Sequence, residues 1–195
     1  MTVILGAGIS GISASYHLSK KDIQNIIFEQ DNDWGGLCGN FEIDGFRFDK
    51  AVHLSFSDNE YVKDLFSKSC DCFIHEPIAY NYYNGSWLKH LAPNGCSSLQ
   101  FEIYFSKDKP LNLTTQELIN HIIKKSKQMN IFDIKDIVVQ DCRILKYGNV
   151  IFYHEMENDR KVILDYLESL NIKTIGRFGK WEYLWSDQSL LSGIL

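Results

Sequence analysis

The chain has 195 residues, 45% of them apolar and 23% charged, with a formal net charge of -5. This is the make-up of a folded globular protein with enough apolar material for a real core, and it excludes an intrinsically disordered chain. The acidic balance, with no dense Lys/Arg patch to reverse it locally, argues against a nucleic-acid or anionic-membrane partner.

No apolar run reaches the roughly 18 residues that a spanning helix needs, and no basic region precedes an apolar stretch as in a signal peptide. The expectation is a cytoplasmic protein without an integral membrane segment. The five cysteines, Cys38, Cys70, Cys72, Cys96 and Cys142, are odd in number and show no CxxC spacing. Reduced thiols fit this pattern better than a disulfide framework. Cys70 and Cys72 have no His or Cys partner at ligand spacing, so no metal is expected.

In chain order, residues 2 to 6 read as a buried strand, 9 to 20 as a helix and 25 to 30 as a second strand, which together make a βαβ unit. After a glycine-rich loop at 35 to 39, "NFEIDGFRFDK" alternates around Asp44-Gly45 and reads as a hairpin. "NEYVKDLFSKS" reads as a helix, and a second hairpin turns at Asn84-Gly85. "SSLQFEIYFS" has the pattern of a strand, and "TTQELINHIIKKSKQ" that of a helix opened by a capping box of Thr114 and Glu117. Residues 134 to 153 are expected to return to strands around Gly148-Asn149. A helix over "NDRKVILDYLESL", a strand over "IKTIGRF" and a helix start in "SDQSLLSGIL" complete the pass. The apolar spacing of Leu118, Ile122 and Ile123 and the lysines 124, 125 and 127 read as structure, a sheet-facing side and a solvated end.

The first strand runs into GxGxxG, matched by Gly6, Gly8 and Gly11, with Ile9 and Ser10 opening the helix. Gly6 permits a tight turn, Gly8 lets backbone approach a pyrophosphate, and Gly11 lets helix and strand pack closely. The helix N-terminus offers free N–H groups to the phosphates. Glu29 ends the second strand, where a carboxylate accepts hydrogen bonds from ribose hydroxyls and repels a 2′-phosphate. The residues therefore point to FAD or NAD over NADP. Glu29 taken alone also fits a solvated strand end.

"EQDNDWGGLCGNF" followed by "GFRFDKAVHLSF" resembles the second phosphate-binding loop of the FAD-dependent amine oxidase and protoporphyrinogen oxidase superfamily. Within it the likeness is closest to UDP-galactopyranose mutase and its relatives. The resemblance implies that Gly35, Gly36 and Leu37 lie against the cofactor and that His53 approaches the flavin. His53 by itself also fits a core histidine bonded to backbone. Asp33 and Trp34 stand where the family has a basic residue. "TIGRFGKWEYLWSDQS" resembles the family's final strand and helix, which implies that Gly176 and Arg177 reach the flavin and that Asp187 and Gln188 lie over its ribityl and phosphate region. Asp187 also fits a helix N-cap.

The fold implied is α/β: a Rossmann-like FAD-binding domain, with a βαβ start and a C-terminal strand and helix completing the sheet, plus a residual α+β substrate-domain portion. Relatives place a long substrate domain where this chain has only "LAPNGC". The division expected is 1–90 for the N-terminal FAD-binding part with its hairpins and 91–97 for a junction at an internal deletion. Residues 98–195 then carry the residual substrate-domain elements and the C-terminal FAD segment, with the last helix cut short at Leu195. The function implied is an FAD-binding oxidoreductase or UDP-galactopyranose mutase-like flavoprotein, with a nucleotide sugar of surface polysaccharide synthesis or another small molecule as substrate. The alternative is a truncated, catalytically inactive dinucleotide-binding protein. No catalytic acid, base or nucleophile is assigned. Tyr80, Tyr82, Tyr83 and Trp87 read as hairpin packing or a substrate wall, and if exposed would favour self-association.

Overall fold

The computed structural model describes residues 1–51, 57–69, 80–83, 86–89 and 99–194, with 80–83 and 86–89 as backbone. These residues fall into two units, Met1–Asp71 with Tyr147–Leu195, and Cys72–Lys146.

The first unit begins with the βαβ turn. Strand β1 (Thr2–Leu5) leads into helix α1 (Ile9–Lys20), and strand β2 (Asn25–Phe28) returns parallel to β1 in the register Thr2 to Asn25 through Leu5 to Phe28. A right-handed helical crossover is the usual connection between neighbouring parallel strands. The inner face of this pair supplies the core: Ile4, Ala14 and Leu18 are buried together, with Ile27 and Ile175 against them. Alternation along the strands puts Val3, Leu5, Ile26 and Phe28 on the opposite face. These side chains are exposed, Leu5 by 83%, which corrects the expectation of a fully buried first strand.

Gly35 opens a 3₁₀ turn over Gly36–Cys38, which leads into the hairpin of β3 (Asn40–Ile43) and β4 (Phe46–Asp49). Asp44 and Gly45 both have positive φ, as a two-residue turn demands, and the cross-strand pair Phe41 and Phe48 stacks at 5.7 Å. Helix α2 (Glu60–Ser69) follows. His17 on α1 bonds the Tyr61 hydroxyl of α2 across 2.6 Å, so the two helices share a polar contact.

The second unit holds the antiparallel pair β5 (Tyr80–Tyr83) and β6 (Ser86–Lys89) and helix α3 (Thr115–Gln128). The capping box expected at Thr114 is formed: its hydroxyl accepts from the Glu117 N–H, and Glu117 accepts from the Thr114 N–H at 2.8 Å. Those bonds to the Thr114 backbone and hydroxyl hold the Glu117 carboxyl below the usual range.

The chain returns to the first unit with α4 (Met156–Ser169), α5 (Gly176–Lys180) and α6 (Ser186–Leu191). Expected strands in three regions are absent among the described residues. Residues 99–105 and the stretch from 137 to 153 form no ladder, and Ile134–Asp136 is a 3₁₀ turn. An alternating pattern makes a strand only where a neighbouring strand completes a ladder, and no ladder forms over these segments among the described residues. Residues 172–175 likewise make no ladder with β1. Ile175 reaches the core cluster, but at Gly176, where φ is +74°, the chain turns into α5. The βαβ start stands as expected, while among the described residues the sheet it opens has two strands, β1 and β2. The junction 91–97, His53 and the side chains of Tyr80, Tyr82, Tyr83 and Trp87 lie outside the described residues. No helix among the described residues is long and apolar enough to cross a membrane.

A Cβ added at Gly11 would overlap the Gly6 carbonyl oxygen and lie 3.3 Å from the Ile4 side chain, whereas one added at Gly148 would meet nothing within 4 Å. Gly11→Ala is therefore expected to cost at least about 2 kcal/mol in urea unfolding. Gly148→Ala should leave the midpoint within the range of ordinary surface changes.

Candidate functional site

The site is built where β1 ends. Gly6 has φ +97°, a conformation open to glycine, and its N–H donates to the Phe28 carbonyl at 2.7 Å, so the turn begins while still bonded to β2. Gly8 is the N-cap of α1, and no side chain caps that end. Among the described residues, the first N–H groups of the helix consequently donate to no capping side chain. Gly8 has an ordinary φ of -72°, and a Cβ added there would meet no atom within 4 Å. Neither backbone strain nor packing accounts for a glycine at this position. Open space in front of the backbone is what the approach of a ligand requires.

The second loop closes on the first. The Gly35 N–H donates to the Ala7 carbonyl at 2.8 Å, and Gly8 and Gly35 form a parallel bridge. A Cβ on Gly36 would lie 3.3 Å from the Gly8 Cα. Leu37 is half-buried in the 3₁₀ turn beside them.

Glu29 ties the acidic end of β2 to this turn. Its carboxylate accepts from the Ala7 N–H at 2.6 Å and the Asp31 N–H at 3.0 Å. These bonds hold its carboxyl below the usual range, the Asp31 N–H contributing most, then the Ala7 N–H, with a smaller assistance from the charge of Lys50.

The C-terminal segment reaches the same place from the other side. A Cβ on Gly176 would fall 2.5 Å from the Ser10 hydroxyl, so Ser10 faces this glycine. The Gly176 N–H donates to the Ser192 hydroxyl, which in turn donates to the Ser189 carbonyl. Helix α6 packs on α1 through Ser13, whose buried hydroxyl donates to the Leu190 carbonyl at 2.7 Å, and through Gly193, where a Cβ would lie 2.8 Å from the Ala14 nitrogen. Arg177 is half-buried. Its Nε and Nη2 donate to the Leu184 carbonyl, and its guanidinium lies 4.9 Å from the Tyr183 ring centre. Burial pushes the Cys38 thiol up, with the Arg177 charge acting in the opposite direction.

Gly6, Gly8, Ile9, Ser10, Gly11, Glu29, Gly35, Gly36, Leu37 and Gly176 thus surround one turn, with Arg177 beside it. Asp187 is not an N-cap: it is the second residue of α6, whose N-cap is Trp185. The Gln188 side chain accepts from the Trp185 N–H at 2.8 Å and so closes its own helix end. Sequence reasoning passed over Ala7, which supplies backbone bonds to both Glu29 and Gly35, and Ser192, which fixes Gly176. Ala7 carries a signal in its place inside the glycine motif, whereas Ser192 has none.

Residues 4–69 match the family described as the NAD(P)-binding Rossmann-like domain, and the fold over this stretch is Rossmann-like. It is similar to 4,4′-diapophytoene desaturase (4,4′-diaponeurosporene-forming) of Staphylococcus haemolyticus, with 30% identity over 112 residues, 57% of this chain and 19% of the desaturase. It is also similar to 1-hydroxycarotenoid 3,4-desaturase of a Flavobacterium species, with 40% identity over 52 residues, 27% of this chain and 11% of that enzyme. The chain thus covers under a fifth of the length of these relatives. Among solved structures, wild-type putrescine oxidase bound to putrescine aligns at a TM-score of 0.38 and 20% identity, over 65% of this chain and 26% of the oxidase.

Gly8→Val is expected to leave the unfolding midpoint near that of the parent, because its side chain enters empty space, while abolishing dinucleotide binding in a fluorescence titration. A second expectation concerns pH. Glu29 binds fewer protons folded than unfolded, so its stabilisation is complete above the ordinary carboxyl range and is lost as pH falls through its lowered folded value. The stability difference between parent and Glu29→Gln should therefore be constant near neutral pH and shrink in acid, as read by urea unfolding across that range.

Proposed function

We propose that this chain binds FAD in the glycine cradle and forms the cofactor-holding part of an oxidoreductase of the amine oxidase and desaturase type. The observation that carries this reading is the open space over Gly8, walled by Gly36 and bounded by an uncapped helix end. Backbone N–H groups at such a turn suit a diphosphate. Two glycine loops in contact favour FAD over NAD, since a nicotinamide dinucleotide has no need of the second. Glu29 lies half-buried at the end of β2, where ribose hydroxyls can donate to it, and Asp31 and Asp33 beside it oppose a 2′-phosphate.

FAD, when bound, supplies a ring that takes up and returns two electrons. The chain's own residues bind and orient it: Gly6, Gly8, Ile9, Ser10 and Gly11 at the diphosphate, Glu29 at the ribose, Gly35, Gly36 and Leu37 along its edge, and Gly176 and Arg177 toward the ring, with His53 as a further contact. Asp187 takes a smaller part, through the first turn of α6, and Gln188 acts through the cap it forms. Residues 1–90 and the end of the 98–195 segment share this work, with 91–97 as the junction.

The finer reading is a UDP-galactopyranose mutase-like flavoprotein of the cytoplasm, acting on a nucleotide sugar in surface polysaccharide synthesis. "WGGLCGNF" and "IGRFGKWEYLWSDQS" support it. Both relatives are desaturases by name, one of a hydroxycarotenoid, which favours a polyene of that kind as the competing substrate class. The test is the visible spectrum of the purified chain, identification of what it releases on denaturation, and turnover assays with a reduced nucleotide-sugar system and with a polyene. Flavin bands and released FAD are expected. FAD without turnover of either substrate would identify the inactive dinucleotide-binding alternative. A colourless chain that gains no thermal stability from added FAD would overturn the proposal.

A further inference from the structure

The rim of the cradle is acidic, and a dinucleotide brings a diphosphate of the same sign. Glu29, Asp31 and Asp33 stand within five residues of one another at the end of β2. Arg177, the cation contributed by the C-terminal segment, already donates two N–H groups to the Leu184 carbonyl. Attraction for the diphosphate therefore calls for another positive charge close to the second loop.

Lys50 stands in that position. It follows β4, and its N–H donates to the Gly39 carbonyl at 2.8 Å. Its stem lies along Gly39, where an added Cβ would be 3.3 Å from Lys50 Cε, 3.2 Å from Nζ and 3.2 Å from the Gly36 carbonyl oxygen. A side chain at residue 39 would crowd the end of the lysine, so this glycine leaves room for the course Lys50 takes over the loop. The ammonium sits 3.9 Å from the Asp33 carboxylate, with the lysine side chain 23% exposed and the aspartate 56%. A pair this long and this open contributes little to stability. It keeps the charge near the loop and yields it readily to a stronger anion. The ammonium is compact and mobile on its four-carbon stem, so it can move from Asp33 to a phosphate without backbone rearrangement. Its charge also reaches Glu29, where it helps to keep the carboxylate ionised.

We infer that Lys50 is a dinucleotide-binding residue: its ammonium leaves Asp33 and pairs with the diphosphate of the ligand lying across Gly8 and Gly36. The inference rests on the dinucleotide reading of the site. Asp33 is then a latch, a carboxylate that holds the lysine in readiness and competes with the ligand for it.

The experiment titrates FAD, ADP and adenosine into the full chain and into Lys50→Ala, Lys50→Arg and Asp33→Asn, with melting of each unliganded protein as a fold control. Lys50→Ala should weaken FAD and ADP by about tenfold and leave adenosine unchanged, because only the first two carry a diphosphate. The loss should shrink as salt rises from about 50 mM to about 500 mM. Lys50→Arg should stay within about threefold of the parent, and Asp33→Asn, which frees the lysine, should tighten ADP by about twofold. Parent-like ADP affinity in Lys50→Ala would overturn the inference. Should Lys50→Ala fail the melting control, ADP binding by Asp33→Asn weaker than the parent's would overturn it as well. If the parent itself binds neither FAD nor ADP, the dinucleotide reading falls, and this inference with it.

Discussion

The carbonyl oxygen of Gly6 fills the space from which a side chain at residue 11 would grow. That single close approach brings the first turn of α1 down onto the end of β1, and the rest of the site is arranged around it. With the helix seated so low, Ala7 presents its N–H to Glu29 and its carbonyl to Gly35, so one residue fastens the ends of two loops. Gly8 is left facing outward with nothing before it. Helix α6 then lies along α1 at the distance that Ser13 and Gly193 permit, and it carries Gly176 with it to Ser10.

Charge is distributed around this frame with some opposition. The backbone offers positive ends at the start of α1, while the loop after β2 gathers carboxylates. Glu29 belongs to both sides: a carboxylate by charge, it is stabilised by the same kind of N–H group that a phosphate would use. Lys50 and Arg177 come from opposite ends of the sequence and differ in commitment. The guanidinium is fixed by a carbonyl and a ring, whereas the ammonium faces a distant carboxylate.

The βαβ start, the Asp44-Gly45 hairpin and the capping box at Thr114 were legible because each depends on neighbours within a short span of sequence. Gly6 and Gly11 were legible for the same reason, whereas the bond between Glu29 and the Ala7 N–H, 22 residues apart, was not. The strands expected over 97–106, 134–153 and 172–178 were misread because alternation records only which face a residue prefers. A ladder depends on a distant partner, and Ile175 shows the difference: it finds the core without finding a strand to bond. Asp187 was misplaced as a cap by one turn chemistry competing with another, since the helix begins at Ser186 and Gln188 reaches back to Trp185. Lys50 could not have been chosen from the sequence, because its path over Gly39 depends on how the hairpin folds back on the loop.

The outer face of the β1 and β2 pair has a consequence for the life of the protein. Parallel strands are ordinarily covered on both sides, yet Val3, Leu5, Ile26 and Phe28 face water here. The unit therefore gains burial from one side of its sheet only, and its unliganded form draws correspondingly less stability from its core. A ligand that binds only the folded form adds to that stability in proportion to the logarithm of its concentration. Occupancy of the cradle would then raise the resistance of this unit to unfolding, and the thin core makes that added increment a large share of the whole.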